Sequence, residues 1–181
     1  MIDDPDAELV ARAGQGDRAA AQELMARHLP KMMMLARRML TDRGEAEDAV
    51  QDAFLRLWTH AARWEPGKAK FETWLYRVTL NQCYDRLRRR VPVNLDEAVE
   101  IPDAAPSPEA RLGNAAIQAE IEHAISGLPE RQRTAILLCH FQECGNIEAA
   151  EILGISVEAL ESLLARGRRT LRSQLAHLKN S

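Results

Sequence analysis

Two clusters of arginine are the residues of this sequence best suited to a chemical task, and that task is binding phosphate. The first cluster lies near the C-terminus and consists of Arg166, Arg168, Arg169 and Arg172. The second lies in the middle of the chain and consists of Arg86, Arg88, Arg89 and Arg90. Guanidinium groups bind the phosphates of nucleic acids with an affinity that falls as the salt concentration rises. A solvated basic face at a helix end is the simpler alternative for each cluster.

The C-terminal cluster belongs to a segment whose glycine, proline and serine residues predict three helices. Pro129 suits the first turn of one helix, and Gly145 breaks the chain before a short second helix at Ile147–Leu153. Gly154 suits a left-handed cap, and Ser156 suits the N-cap of a third helix that carries the arginines. This is the helix-turn-helix pattern, which in other proteins lays its last helix in the major groove of DNA.

The mid-chain cluster ends a predicted amphipathic helix at Phe71–Arg90. The apolar positions that we expect to face inward are Trp74, Leu75, Val78, Cys83 and Leu87. Trp64, Lys68 and Lys70 lie just before this helix. Basic and aromatic side chains interleaved in this way suit single-stranded DNA, because bases stack on rings while cations follow the phosphates.

Another predicted helix, at Gly44–Trp64, has an acidic surface. The apolar residues that recur at helical spacing are Ala46, Ala49, Val50, Ala53, Phe54, Leu57 and Trp58. The polar residues around this stripe are Glu45, Glu47, Asp48, Gln51 and Asp52. Carboxylates in the first turns complement the helix dipole, which is one interpretation, and a docking face for a basic partner helix is the other.

The composition predicts an all-α fold of two small helical domains. Glycine and proline are sparse, and no segment shows the alternation typical of strands. Residues 91–110 contain four prolines and several carboxylates but neither lysine nor arginine, which predicts a flexible acidic linker. The predicted domains therefore span residues 1–90 and 111–181. Because the net charge is −3, any contact with nucleic acid must come from local basic patches.

Nothing in the sequence predicts an enzyme, a cofactor or a metal site. There is no glycine-rich phosphate loop, no GxSxG and no HExxH motif, and Cys139, His140 and Cys144 match no standard zinc spacing. An odd number of cysteines without disulfide spacing suits a reducing cytoplasm. The N-terminus is acidic, and no run of about 18 apolar residues is present. We therefore expect a cytoplasmic protein with no direct membrane insertion.

These motifs, in this order, resemble those of bacterial sigma factors of the extracytoplasmic-function (ECF) group, within the sigma-70 family. Glu45–Trp58 resembles the helix that docks on RNA polymerase, and Glu72–Arg90 resembles the segment that melts and reads the −10 promoter element. The signature of the fourth region is met by Leu128, Pro129, Arg133, Ser162, Leu164, Arg166 and Arg168.

The resemblance implies a role for each group of residues. Residues that would bind core polymerase, on the clamp helices of its largest subunit, are Glu47, Asp48, Gln51, Asp52, Phe54 and Leu55. Residues that would bind −10 DNA are Trp64, Lys68, Lys70, Arg77, Asn81, Arg86, Arg88, Arg89 and Arg90, with a flipped base held by the Ala61–Lys70 loop. Residues that would bind −35 DNA are Ser156, Glu158, Glu161, Ser162, Ala165, Arg166, Arg168 and Arg169.

The resemblance also implies partners. They are the largest and second-largest subunits of core RNA polymerase, promoter DNA, and an anti-sigma factor that is often membrane-bound and covers both domains. The acidic linker would pass through polymerase near the template or RNA path. The chain itself would then be a promoter-specificity subunit without catalysis of its own.

The recognition helix departs from the family pattern at two positions. Glu161 and Leu163 stand where relatives usually carry cations. A carboxylate near phosphates is repulsive, but it can accept a hydrogen bond from cytosine N4, and a leucine can contact a thymine methyl group. We therefore expect Glu161 and Ser162 to read bases while Arg166 and Arg168 hold phosphates.

Two alternatives remain at this point. One is a sigma mimic that titrates an anti-sigma factor without binding DNA, which Glu161 and Leu163 favour slightly. The other is an ordinary helix-turn-helix regulator, which has no use for the acidic helix at Gly44–Trp64 or for Trp64 and the basic end of Phe71–Arg90.

Overall fold

The computed structural model describes residues 3–65, 67, 69–90 and 114–179. Helices dominate these residues and no strand occurs among them, which confirms the all-α prediction. The N-terminal helices are α1 (Ala7–Gly14), α2 (Arg18–Met39), α3 (Arg43–Ala61) and α4 (Phe71–Arg90). The C-terminal helices are α5 (Asn114–Ser126), α6 (Glu130–Ile136), α7 (Asn146–Leu153) and α8 (Val157–Gln174). The predicted linker lies outside the described residues.

The N-terminal unit, α1–α4, is a bundle built on α2. Helix α2 continues through Pro30 and buries Leu24, Met32 and Leu35 completely. On α3 the predicted stripe is buried from Ala46 to Leu57, but Trp58 at its end is 38% exposed. Helix α3 therefore keeps an apolar side chain on the surface next to its acidic residues.

Helix α4 is buried more widely than its apolar pattern predicts. Leu75 and Cys83 face inward as expected, whereas Trp74, Val78 and Leu87 are only half-buried. Its buried positions also include Phe71, Thr73, Tyr76, Thr79, Leu80 and Gln82. Buried residues around most of the circumference mean that α4 packs against neighbours on two sides.

The start of α4 is held by the N-terminal segment. The backbone N–H of Phe71 donates to Asp4 Oδ2 at 2.8 Å, while Asp4 Oδ1 accepts from the N–H of Asp6 at 3.0 Å. The Asp6 carboxylate is in turn buried, and its Oδ2 lies 2.7 Å from His28 Nε2. These two aspartates therefore fasten α1 and α2 to the end of the loop that precedes α4.

The C-terminal unit, α5–α8, confirms the helix-turn-helix prediction. Gly154 ends α7 with a φ of 63°, the left-handed conformation that a residue without Cβ adopts readily. The Ser156 hydroxyl caps α8 by accepting from the N–H of Ala159 at 3.2 Å. Leu160 and Leu164 are buried, so the opposite face of α8 is left for solvent or a ligand.

Close packing of α1 on α3 generates a stability prediction for Gly14. A Cβ on this residue would lie 2.6 Å from the carbonyl oxygen of Ala61, so Gly14→Ala forces the helices apart. We expect the free energy of unfolding, measured by urea denaturation, to fall by about 1–3 kcal/mol.

Gly127→Ala is the matched control, because its Cβ would meet no atom closer than 3.6 Å. We expect this change to alter stability by about 0.5 kcal/mol at most. Equal losses in the two variants would contradict the close approach of α1 and α3.

Candidate nucleic-acid and protein interfaces

The exposed face of α3 combines acidic and apolar side chains. Asp48 and Gln51 are exposed, and Leu55 is 53% exposed. Glu47 accepts from Arg43 Nε at 2.8 Å, and this hydrogen bond lowers the pKa of the Glu47 carboxyl. Phe54 differs from the other predicted polymerase-binding residues, because it is only 4% exposed and supports the face from the core.

A neighbouring apolar groove extends this face. The groove has a volume of about 300 Å³ between α2 and α3. Its lining residues are Met25, Leu29, Met33, Glu47, Val50, Gln51, Phe54, Leu55 and Trp58. Of the three consecutive methionines only Met32 is fully buried, while Met33 lines the groove and Met34 is 39% exposed.

Most arginines at the end of α4 are paired with carboxylates. Arg86 Nη2 donates to Asp52 Oδ2 at 2.7 Å, and the Arg86 side chain is only 13% exposed. Arg88 pairs with Asp85, and Arg90 pairs with Glu45. Arg89 is exposed and makes no ion pair with any residue that the structure describes. The cluster is therefore less basic in effect than the sequence indicates.

Aromatic rings surround the base of the loop before α4. Trp64 and Phe71 meet edge to face with centroids 5.9 Å apart, and Trp64 and Trp74 do so at 6.0 Å. His60 stacks on Trp74 with ring centroids 5.5 Å apart. Trp64 is half-buried in this cluster, Lys70 is exposed, and Lys68 lies outside the described residues. The described residues therefore include only part of the Ala61–Lys70 loop that is predicted to hold a flipped base.

Arg77 and Asn81 lie where α4 faces the C-terminal unit. Arg77 Nε donates to the carbonyl oxygen of Glu151 at 3.1 Å. Asn81 is exposed and lines a cleft of about 330 Å³ whose far wall includes Arg131 and Gly154. The sequence predicts that both residues bind −10 DNA. It does not predict that α7 covers part of the surface on which they lie.

All of the predicted −35 residues are exposed, on α8 or, for Ser156, at its N-cap. They are Ser156, Glu158, Glu161, Ser162, Ala165, Arg166, Arg168 and Arg169. Glu158 lies in the first turn, where a hydrogen bond from its own backbone N–H and one from Ser156 lower the pKa of its carboxyl. Leu163 is half-buried and packs against the core. The acidic residues therefore precede the basic ones along one exposed surface.

Two arginines in the later turns of α8 make contacts with nearby groups of the protein. Arg166 Nε donates to the carbonyl oxygen of Ser162 at 3.2 Å, and Arg168 lies 3.1 Å from His140 Nε2. Burial, and then the nearby Arg168 charge, lower the pKa of His140, so this imidazole stays neutral and accepts from the guanidinium.

The three cysteine thiols are protonated at neutral pH. Burial raises the pKa of the Cys83 and Cys144 thiols to about 12, and it also raises the pKa of Cys139. Within the described part of the chain, no three His, Cys, Asp or Glu side chains are grouped closely enough to hold a metal ion. None of the described helices is both long enough and apolar enough to cross a membrane.

Comparison with known families identifies the class of protein. Residues 24–92 match sigma-70 region 2, and residues 118–171 match sigma-70 region 4. The chain is 32% identical over 180 residues to the ECF RNA polymerase sigma factor SigW of Bacillus subtilis, covering 93% of this chain and 96% of SigW. It is also 32% identical to the ECF sigma factor SigE of Mycolicibacterium smegmatis, covering 89% of this chain and 65% of SigE.

A solved structure agrees with this class. CnrH, in complex with the cytosolic domain of CnrY, superposes with a TM-score of 0.75 at 27% identity, covering 96% of this chain and 99% of CnrH. The chain belongs to the ECF group of RNA polymerase sigma factors. Members of this family are transcription initiation factors and not enzymes.

The Arg86–Asp52 ion pair, in which the Arg86 side chain is 13% exposed and that of Asp52 is 47% exposed, generates a prediction that separates structural from exposed arginines. Arg86→Ala leaves Asp52 and Gln82 without their charged partner, so we expect the free energy of unfolding to fall by about 1–3 kcal/mol. Arg89→Ala removes the same charge from an exposed position and should change the free energy of unfolding by about 0.5 kcal/mol at most. Urea denaturation compares the two, and similar losses would mean that the Arg86–Asp52 pair contributes nothing to stability.

Proposed function

We propose that this chain binds core RNA polymerase through α3 and directs it to promoters through α4 and α8. The observation that carries the proposal is the α3 face, where Asp48, Gln51 and Leu55 are exposed beside an apolar groove. A regulator that only binds duplex DNA has no need for this surface. The proposed division places polymerase docking and the −10 element in residues 1–90 and the −35 element in residues 111–181, joined by residues 91–110.

The polymerase-docking surface has a chemistry that suits a basic, amphipathic helix hairpin. Carboxylates such as Glu47 and Asp48 attract cations, and the groove beside Leu55 accepts apolar side chains. Such a pairing combines electrostatic steering with burial of apolar area. We assign the clamp helices of the largest polymerase subunit to this surface, with Phe54 supporting it from within.

The −10 element is assigned to the loop before α4 and to the exposed groups on α4. Trp64 and Lys70 border the place proposed for a flipped base, and Arg77, Asn81, Arg88 and Arg89 contact the strand. Unstacking a base costs a few kcal/mol, which binding in a protein pocket offsets. Because Arg86 and Arg90 pair with carboxylates on α3, we assign them the role of fastening α4 to α3 beside the DNA.

The −35 element is assigned to α8. Its early exposed residues, Glu158, Glu161 and Ser162, would lie at base edges, and Arg166, Arg168 and Arg169 would bind phosphates on either side. The separation of acidic and basic residues along the helix supports this order. The function is exercised in the cytoplasm, where the polymerase is.

We further propose that an anti-sigma factor controls this chain. CnrH, which covers nearly the same length, was solved bound to the cytosolic domain of another protein, CnrY. The groove between α2 and α3 offers such a partner an apolar surface that overlaps the polymerase-docking face. Competition for this surface would keep polymerase away until the partner is removed.

Docking can be tested by reversing one charge on α3. We expect Asp48→Arg to weaken binding to core RNA polymerase at least about tenfold, because a cation there repels a basic partner, and Gln51→Ala to weaken it less. Fluorescence anisotropy of the labelled chain titrated with core enzyme measures this affinity. Glu8→Arg makes the same charge change on an exposed residue of α1 and should bind as the unmodified chain does.

The same variants decide between a sigma factor and a sigma mimic when transcription is reconstituted. Core polymerase, the chain and upstream DNA from its own genome should give an open complex and a transcript, and Asp48→Arg should give neither at low protein concentration. If Asp48→Arg leaves the affinity for polymerase unchanged, α3 is not part of the polymerase interface. A chain that yields no transcript on any upstream DNA would favour the mimic.

Base reading by α8 can be tested at Glu161. We expect Glu161→Lys to increase affinity for all duplexes and to lower sequence preference, because a cation binds phosphate regardless of sequence. Glu161→Gln removes the charge but keeps a hydrogen-bonding side chain, and should change preference at one base pair by about 1–3 kcal/mol. Binding to a library of duplexes at fixed salt measures both, and unchanged preference in both variants would show that Glu161 reads no base.

A further inference from the structure

Two aspartates that precede α1 are directed at other helices of the N-terminal unit. Asp4 Oδ2 accepts from the backbone N–H of Phe71 at 2.8 Å, across 67 residues of chain. Asp6 stands at the N-cap of α1, yet its side chain makes no capping hydrogen bond there. Its carboxylate is buried against His28 instead, whose Nε2 lies 2.7 Å from Asp6 Oδ2. Both carboxylates therefore bind groups outside the helix that they precede.

The Asp4 contact supplies a cap that the sequence next to α4 lacks. Lys70 occupies the N-cap position of α4, because its carbonyl oxygen accepts from the N–H of Trp74 at 3.2 Å. A lysine side chain carries donors only, so it cannot accept from the N–H groups of the first turn. These N–H groups have no intrahelical partner, and Asp4 binds that of Phe71, the first residue of α4. Asp4 thus provides the acceptor that position 70 does not.

The Asp6–His28 pair supports the same place through the ring of Phe71. The His28 and Phe71 rings meet edge to face with centroids 5.4 Å apart, and both residues are at most 1% exposed. The Phe71 ring then meets the half-buried ring of Trp64 with centroids 5.9 Å apart. A continuous line of contacts therefore runs from Asp6 to Trp64. It joins the two ends of the Ala61–Lys70 loop, since Trp64 lies near its first end and Phe71 follows its last residue.

A loop that receives a flipped base binds it best when the loop is already ordered. Ordering a loop at the moment of binding costs conformational entropy, which lowers the affinity for the ligand. The least stable parts of a fold are those with few buried contacts, so a surface loop depends on the contacts that hold its ends. Asp4 and the Asp6–His28 pair make such contacts. They act on the ring of Trp64 and on the backbone next to Lys70, which are both assigned to −10 DNA.

We propose that Asp4, together with the Asp6–His28 pair, positions the Ala61–Lys70 loop for recognition of the flipped −10 base. This inference rests on the proposed function, in which that loop holds the base. The three residues act through Phe71 and do not touch DNA, so they are positioning residues. Asp4 and Asp6 also precede residues 24–92, the part of the chain that matches sigma-70 region 2. Base recognition by this chain then depends on a segment outside the matched region.

The variants remove or weaken one acceptor. Asp4→Ala removes the carboxylate, and Asp4→Asn keeps one acceptor oxygen. Asp42→Ala is the matched control, because Asp42 Oδ1 caps α3 by accepting from the N–H of Glu45 at 2.8 Å, at the end of α3 opposite to the loop. Circular dichroism and urea denaturation establish which variants are folded at the assay temperature. If Asp4→Ala is not folded, Asp4→Asn takes its place, with the same direction of effect and a smaller size.

Open-complex formation with core RNA polymerase is measured on an upstream DNA that yields a transcript, and on derivatives with one −10 or −35 base replaced. We expect Asp4→Ala to lower it about 2- to 30-fold on the original DNA, the factor that corresponds to loss of one helix cap. On the derivative without the recognised flipped base, Asp4→Ala should have an effect of about twofold at most, because the loop holds no base there. Asp4→Asn should lie between Asp4→Ala and the unmodified chain, and Asp42→Ala should act equally on all of these DNAs.

An effect of Asp4→Ala that is equal on all of these DNAs would overturn the proposal, because a loss of stability alone lowers the amount of folded chain whatever the base. No effect on any of them would overturn it as well. An unmodified chain that yields no transcript on any upstream DNA would contradict the proposed function itself, which is a different outcome.

Hydrogen exchange of the full chain, followed by mass spectrometry, tests the anchoring of the loop without DNA. We expect Asp4→Ala to speed exchange in peptides within residues 62–73 by about 2- to 30-fold, because the N–H of Phe71 loses its acceptor and the end of the loop its anchor. Asp42→Ala should leave these peptides unchanged and affect those at the start of α3. Unchanged exchange within residues 62–73 in Asp4→Ala would overturn the proposal whatever the transcription assay gives.

Discussion

Helix α4 is constrained from two sides, and the rest of the structure depends on this. One side packs on α2 and α3 through residues such as Leu75 and Cys83, and the Arg86–Asp52 ion pair fastens its C-terminal half to α3. The other side meets α6 through Tyr84, α7 through Arg77, and the segment between them through Tyr76, whose hydroxyl donates to Gln142. The helix assigned to melting the promoter is therefore also the helix that joins the two units.

Several basic side chains of α4 and α6 are already bound within the molecule. Arg88 and Arg90 pair with Asp85 and Glu45, and Arg77 and Arg133 are directed at helix C-termini. Arg89 of α4 and the arginines of α8 make no ion pair with any residue that the structure describes, so in a chain with a net charge of −3 the positive charge available to a polyanion is local.

Helix α8, the recognition helix, carries its acidic and its basic residues in separate turns. Its first exposed turns carry Glu158 and Glu161, and the arginines follow from Arg166 onward. Repulsion between a carboxylate and phosphate lowers non-specific binding, while a base edge with an amino group can still be bound. In the proposed function, promoter choice therefore rests on few base contacts, made by the first two turns of α8.

Local signals in the sequence determined the helices and the order of the functional segments. Gly154 and Ser156 define the turn before α8, because glycine adopts a positive φ and a serine hydroxyl caps free N–H groups. Such features depend on neighbouring residues alone, so they can be read from one sequence. The stripe from Ala46 to Leu57 was likewise predictable, since helical spacing places those residues on one face.

Tertiary structure alone decided which charged groups are free and how the two units meet. The Asp4 carboxylate accepts a hydrogen bond from the backbone N–H of Phe71, which lies 67 residues further along the chain. Arg86 and Arg89 look alike in sequence, but only Arg86 faces Asp52. Partners distant in the chain leave no local pattern, because their approach depends on the packing of whole helices.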